Sequence, residues 1–263
     1  MNYIIKKTKE KKGLEFILKG KKHVLKDVNF AILNLEKGEE ISHFFKEEAG
    51  IIIQRGVCDL EVDQRIFRNL GKRKDVFSGR ATAVYVPPNR RFKVAAKSGF
   101  KAAIALTSSE NSKSDVQIID PKHVMINIRG RNNWKREVHD IIDHRIAGAR
   151  LVIGETFNPS GNWSSYPPHK HERNIPNVES AHEELYYFKI NPEQGFCFMR
   201  LYSDKGRDQA IVVEDGDTVL LPDGYHPVVV APGYQSYYLW ILAGKNQNHI
   251  MHDDPRHTWI KKK

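Results

Sequence analysis

The chain has 263 residues, 40% of them hydrophobic and 28% charged, with a formal net charge of +10. That length suffices for one large domain or two of ordinary size, with a sizeable core. No apolar run approaches the roughly 20 residues of a membrane helix. The opening residues, Met1-Asn2-Tyr3-Ile4-Ile5-Lys6-Lys7, have no long apolar segment and no small-residue cleavage site, so no secretory leader is expected. The basic excess is spread out, with small clusters at 6–12, 19–22 and 261–263, and no nucleic-acid-binding module accompanies it. Its milder consequence is attraction of anionic small substrates. Cys58 and Cys197 lack CxxC spacing, so a disulfide framework is not expected and a reducing cytoplasm fits best.

Strand signals dominate along the chain. They fall at Ile51-Ile52-Ile53, at Val57-Cys58-Asp59-Leu60-Glu61-Val62 with its period-two alternation, and at Ala83-Val84-Tyr85-Val86. Val94-Ala95-Ala96 and the apolar run 102–106 follow. A polar stretch at 108–115 and Arg129-Gly130-Arg131-Asn132-Asn133 are the places for a domain boundary. Residues 138–142 fit a strand or a short helix. Further strand signals lie at 153–157, 196–202, 212–213, 219–221 and 237–242. Many short strands at close spacing predict an all-β sandwich or barrel architecture.

A weak internal repeat lays residues 84–96 on 219–231 without gaps, each reading as strand, proline turn, strand. In that overlay His226 falls on Arg91, and the first half has no HxH pair. The expected organisation is two similar β domains, 1–125 without metal ligands and 126–263 with them.

The densest chemical signal is His169-Lys170-His171. Residues i and i+2 of a strand project to the same side, so two imidazoles share one space and Lys170 faces away. A carboxylate from the Glu183-Glu184 pair and His226, in the turn Pro222-Asp223-Gly224-Tyr225-His226, would complete a three-histidine, one-carboxylate set. Such a set suits one divalent ion: zinc, manganese, iron, nickel or cobalt. His182 is expected to be exposed. His249, His252 and His257 lie in a polar stretch with weak structural signals and are assigned no second metal.

These motifs resemble those of the cupin superfamily, small jelly-roll barrels with HxH, Glu and His around one metal. Glu184-Leu185-Tyr186-Tyr187 is similar to that family's Glu-Val-Tyr-Tyr strand. The likeness implies Glu184 as the carboxylate ligand beside His169, His171 and His226, and Glu183 pointing away. The gap between His171 and Glu184 is longer than usual, which implies a loop over the cavity mouth at 173–182. The second motif is echoed by Gly216, Pro222, Gly224 and His226, with one residue fewer before the histidine and no later Asn.

A closer resemblance covers nearly the whole chain. Arg136-Glu137-Val138-His139-Asp140-Ile141, Pro167-Pro168-His169-Lys170-His171, Glu183-Glu184-Leu185-Tyr186-Tyr187-Phe188, Asn191-Pro192-Glu193-Gln194-Gly195-Phe196, Asp215-Gly216-Asp217 and Gly224-Tyr225-His226-Pro227-Val228 look like the isomerase family that acts on 5-deoxy-glucuronate in bacterial inositol catabolism. The resemblance implies a bicupin, two tandem jelly-roll barrels. It implies conversion of 5-deoxy-D-glucuronate to 5-dehydro-2-deoxy-D-gluconate, an aldose–ketose isomerisation of a small anionic sugar acid.

That chemistry needs charge stabilisation on an enediolate, which a divalent ion supplies as a Lewis acid. Tyr186, two residues after Glu184, should share its inward face and is the expected acid–base group. Arg200, on a barrel strand beside Met199, is the expected partner of the substrate carboxylate, with Tyr225 as a second contact. A cupin dioxygenase, another uronate ketol-isomerase and a non-enzymatic sugar-binding bicupin stay open at this point. So does assembly into a homo-oligomer.

Overall fold

The structure is a computed structural model that describes residues 2–20, 23–110 and 114–262. Parts of two basic clusters (21–22 and 263) and of the polar stretch (111–113) lie outside the described residues. Strands carry the fold. Its helical content among the described residues is three short 3-10 turns, Pro121–His123, Asn132–Trp134 and Thr258–Lys262. Residues 138–142 belong to the strand Arg136–Ile142. The chain divides into two compact units: one comprises the described residues of Thr8–Met125 and Asp140–Ile153, the other those of Met1–Lys7, Ile126–His139 and Gly154–Lys263.

The first of these units contains a six-stranded sheet ordered Gln117–Ile119, Ala83–Val86, Glu48–Arg55, Phe100–Thr107, Asn29–Leu35, Gly13–Leu18. A four-stranded sheet follows the order Glu40–Phe45, Arg90–Ala96, Cys58–Val62, Arg65–Leu70. Neighbours in both sheets pair antiparallel. Antiparallel strands with one face on a core should alternate inward and outward, and Cys58–Val62 does so. Leu33, Ile51 and Ile104 of one sheet share an apolar cluster with Leu60, Phe92 and Val94 of the other. Arg91, the counterpart of His226 in the repeat, is exposed. A deeply buried carboxylate of this unit, Glu48, accepts the backbone N–H groups of Ala149, Arg150 and Leu151 and the Tyr85 hydroxyl, which satisfies its lone pairs.

In the other unit the strands Ile4–Ile5, Thr218–Leu221, His182–Asn191 and Gln235–Gly244 lie side by side in a seven-stranded sheet. A four-stranded sheet runs Trp163–Ser164, Val228–Val230, Phe196–Tyr202, Asp208–Glu214. Phe188, Val219 and Tyr238 from the first sheet meet Met199, Val213 and Val228 from the second in a common core. A third, two-stranded piece pairs His169–Lys170 with His252–Asp253. This is an all-β bicupin architecture. Cys58 and Cys197 are free and buried, and burial pushes both thiols up to about 12.

Candidate metal centre

Three separate elements deliver the site. Glu184 sits in the long strand His182–Asn191, held between Leu221 of one neighbour and Leu242 of the other. His171 follows the two-stranded piece, and its main-chain oxygen takes the N–H of His182, which ties the HxH segment to the start of the Glu184 strand. His226 follows the turn at Gly224, whose φ of +76° is a left-handed conformation that glycine adopts without strain. A Cβ there would also lie 2.5 Å from the Tyr202 carbonyl oxygen, so only glycine fits.

The ligand atoms of His171, Glu184 and His226 all fall within 4.8 Å of one another, and all three residues are buried. His171 Nε2 is 3.0 Å and His226 Nε2 3.3 Å from the same Glu184 oxygen. His169 flanks this group, its ring edge-on to His226 at 5.0 Å and 6.3 Å from His171. Its own ligand atoms are not in the convergent set of three. Glu183 points away from the cluster and is only half-buried, as alternation along the strand requires.

The second ring nitrogens set the tautomers of the cluster. His169 Nδ1 faces Pro167 O at 3.4 Å, His171 Nδ1 faces His182 O at 2.9 Å and His226 Nδ1 faces Gly224 O at 3.0 Å. A carbonyl only accepts, so each Nδ1 carries the hydrogen and each Nε2 keeps a lone pair. That arrangement is the usual support of a metal-bound imidazole. His226 Nε2 is buried and makes no hydrogen bond, a costly state for a polar atom unless a cation takes its lone pair. The donor set of imidazole nitrogens and one carboxylate therefore fits a divalent transition ion.

Burial dominates the electrostatics. It lowers His226 to about 3, with the neighbouring His171 adding to the effect, and it lowers His169 well below the ordinary imidazole value. Burial also opposes charge on His171, but the hydrogen bond and charge of Glu184 outweigh it and raise that imidazole. Glu184 is itself raised, chiefly by burial. Tyr186 lies in the same pocket. Its ring is edge-on to His226 at 5.7 Å and stacked on Tyr238 at 4.4 Å, and its hydroxyl is 2.9 Å from Ser165 Oγ. Burial, then the Glu184 charge, holds its phenol well above the ordinary value.

Two expected substrate contacts lie elsewhere. Arg200 lies on the outer face: along Phe196–Tyr202 the alternating buried positions Cys197, Met199 and Leu201 set the inner side, so parity turns Arg200 outward. It forks onto Asp208 at 2.8 and 2.7 Å with its side chain 49% exposed. Tyr225 is buried but stacks on Tyr202 at 4.9 Å and lies under the Lys170 ammonium at 5.1 Å. Lys170 faces away from its histidine neighbours and pairs with Glu172 and Asp204, so Tyr225 is on the side opposite the imidazoles.

Two histidines were underrated by the sequence. His182 is buried, not exposed, with Nε2 3.1 Å from Asn246 O. His249 packs edge-on at 5.3 Å from both His171 and His182, its Nε2 sealed from solvent. Residues between Arg173 and His182 form a folded loop closed by an Ile175–Glu179 bridge, with Glu179 accepting the N–H groups of Glu172 and Arg173. Arg136 was also passed over. It shares the buried parity of Val138 in its strand, a signal that alternation alone carries.

The KduI/IolB family matches residues 3–260. The chain belongs to that family. The 5-deoxy-glucuronate isomerase of Geobacillus kaustophilus (strain HTA426) is 39% identical over 237 residues, 89% of this chain and 85% of that protein. The enzyme of the same name from Listeria monocytogenes serotype 4a is 39% identical over 241 residues, 89% of this chain and 87% of that one. An IolB-like protein from Salmonella typhimurium LT2 superposes with a TM-score of 0.94 at 29% identity, covering 99% of this chain and 100% of the other. A variant oxalate decarboxylase from Bacillus subtilis shares the fold, with a TM-score of 0.60 at 12% identity over 86% of this chain and 71% of its own.

Proposed function

We propose that the chain is a metal-assisted isomerase that converts 5-deoxy-D-glucuronate to 5-dehydro-2-deoxy-D-gluconate in cytoplasmic myo-inositol catabolism. His169, His171, Glu184 and His226 would hold one divalent ion. The observation that carries the reading is the convergence of His171, Glu184 and His226 in a chain 39% identical to a 5-deoxy-glucuronate isomerase. When bound, such an ion supplies Lewis-acid stabilisation to the oxygens at C1 and C2 of the aldose as charge develops there.

The protein's own groups do the rest. The backbone acceptors of the three imidazoles fix their tautomer and aim. Tyr186 stays a neutral phenol at physiological pH because burial opposes its ionisation. It can therefore donate a hydrogen bond, or a proton, from Oη to the substrate oxygen at C1 and take back the proton that the C2 hydroxyl gives up, with Ser165 Oγ at 2.9 Å holding the hydroxyl in place. Tyr238, stacked on Tyr186, and Phe188, packed against both rings, wall that proton path with apolar surface and keep bulk water from it.

The test is direct. Metal-loaded protein incubated with 5-deoxy-D-glucuronate should give the ketose by NMR, chelation should stop the conversion and readdition of the ion should restore it. Oxygen uptake in place of isomerisation would overturn the reading in favour of a dioxygenase.

A further inference from the structure

We infer that Arg136 is the residue that binds the substrate carboxylate, a role that Arg200 cannot fill from the outer face of its sheet. Arg136 is only 8% exposed. Its Nη1 donates to the main-chain oxygens of Trp134 at 3.2 Å and Tyr166 at 3.0 Å, and no carboxylate among the described residues reaches ion-pair distance. The other buried cation of this unit, Lys170, has both Glu172 and Asp204. A guanidinium has five donors in a planar fork that matches a carboxylate. Here two neutral carbonyls occupy one arm of the fork, and the charge has no acid in direct contact, Asp253 acting on it only at longer range.

Its position suits the reaction. Tyr166, which accepts from Arg136, follows Ser165, whose hydroxyl meets that of Tyr186. The Arg136 charge acts on Tyr186, Tyr238 and His169, so the guanidinium borders the imidazole cluster on its Tyr186 side. A uronic acid carries its aldehyde at one end and its carboxylate at the other. With C1 and C2 at the cluster, the carboxylate extends past Tyr186 toward Arg136. The acid's identity rests on the isomerase reading; the preference for a carboxylate rests on the buried guanidinium with no carboxylate in ion-pair contact.

The test uses metal-loaded wild type, Arg136→Met and Arg136→Lys, each checked for metal content and melting temperature. Arg136→Met should raise KM for 5-deoxy-glucuronate about 10- to 100-fold, the loss of a charge-assisted hydrogen bond. Turnover of 5-deoxyglucose, which has a hydroxymethyl in place of the carboxylate, should change little. Arg136→Lys keeps the charge without the fork and should fall between. In parallel, calorimetry with gluconate and sorbitol, which do not react, should show wild type preferring the acid and Arg136→Met losing that preference. An unchanged KM for the acid, equal losses on acid and neutral sugar, or no preference for gluconate in wild type would each overturn the proposal. Failure of wild type to turn over the acid would sink the isomerase reading instead, and the gluconate measurement would still decide the role of Arg136.

Discussion

His171 Nε2 and Glu184 Oε2 lie 3.0 Å apart, both side chains buried. Because His171 Nδ1–H is committed to the His182 carbonyl, this contact sets a nitrogen lone pair against a carboxylate. Only a cation between them makes it favourable: a proton in the metal-free protein, a metal ion in the loaded one. Both groups are raised above their ordinary values, His171 by the Glu184 hydrogen bond and charge acting against burial and Glu184 chiefly by burial, so protonation of the pair is favoured.

An ion that takes the place of that proton should therefore release protons on binding, the more so as pH falls. Calorimetric titration of the stripped protein in buffers of different ionisation enthalpy measures this. No dependence of the observed heat on the buffer would show that the pair carries no exchangeable proton.

Glu184→Gln should lose the ion on dialysis and lose activity with it, while Glu183→Gln should retain both. Elemental analysis of the two variants separates the residues. The opposite pattern would shift the strand register by one residue, which reverses every facing position.

The metal-free protein should lose stability as pH falls below about 6.5. Burial depresses His226 to about 3 and takes His169 and His249 well down. Between the unfolded value of about 6.5 and those folded values, the unfolded chain binds more protons, so acid favours it. Each such histidine contributes up to about 1.4 kcal/mol per pH unit in that window. His171, raised above the unfolded value, acts in the opposite sense, but its window lies above pH 6.5. Thermal unfolding of chelated protein between pH 7 and 5 should show the fall, and His226→Asn should make it shallower. A melting temperature that rises toward pH 5 would contradict the burial argument.

Tyr186→Phe should keep the fold and the ion while lowering kcat by about two to four decades, the range of general acid–base catalysis. The hydroxyl is 2.9 Å from Ser165 Oγ, and the ring stack on Tyr238 survives the change. A kcat within threefold of wild type would reduce Tyr186 to a packing residue.

The strands and the HxH pair were legible because both depend on local periodicity. Glu184 came from the likeness of Glu184-Leu185-Tyr186-Tyr187 to the cupin strand, and parity turned Glu183 away. Arg200 was misplaced because its strand, Phe196-Cys197-Phe198-Met199-Arg200-Leu201-Tyr202, is apolar on both faces. Phe196 and Phe198 are 37% and 47% exposed, so hydrophobicity did not mark the inner side. His182 and His249 were underrated for a different reason. They are buried at a strand's first residue and in an irregular segment, where no periodic signal exists and burial follows from tertiary packing alone. Arg136 was hidden by the general expectation that arginines face water, although its alternation with Val138 placed it inside.

Each of the three imidazoles at the centre is tethered through Nδ1 to a main-chain oxygen, and two of those oxygens, Pro167 O and Gly224 O, belong to the residue two positions before the histidine they hold. The rotational freedom of these rings is therefore surrendered when the chain folds and not when an ion arrives. Exchanging one divalent ion for another should alter occupancy and chemistry while leaving the ring orientations where the backbone sets them.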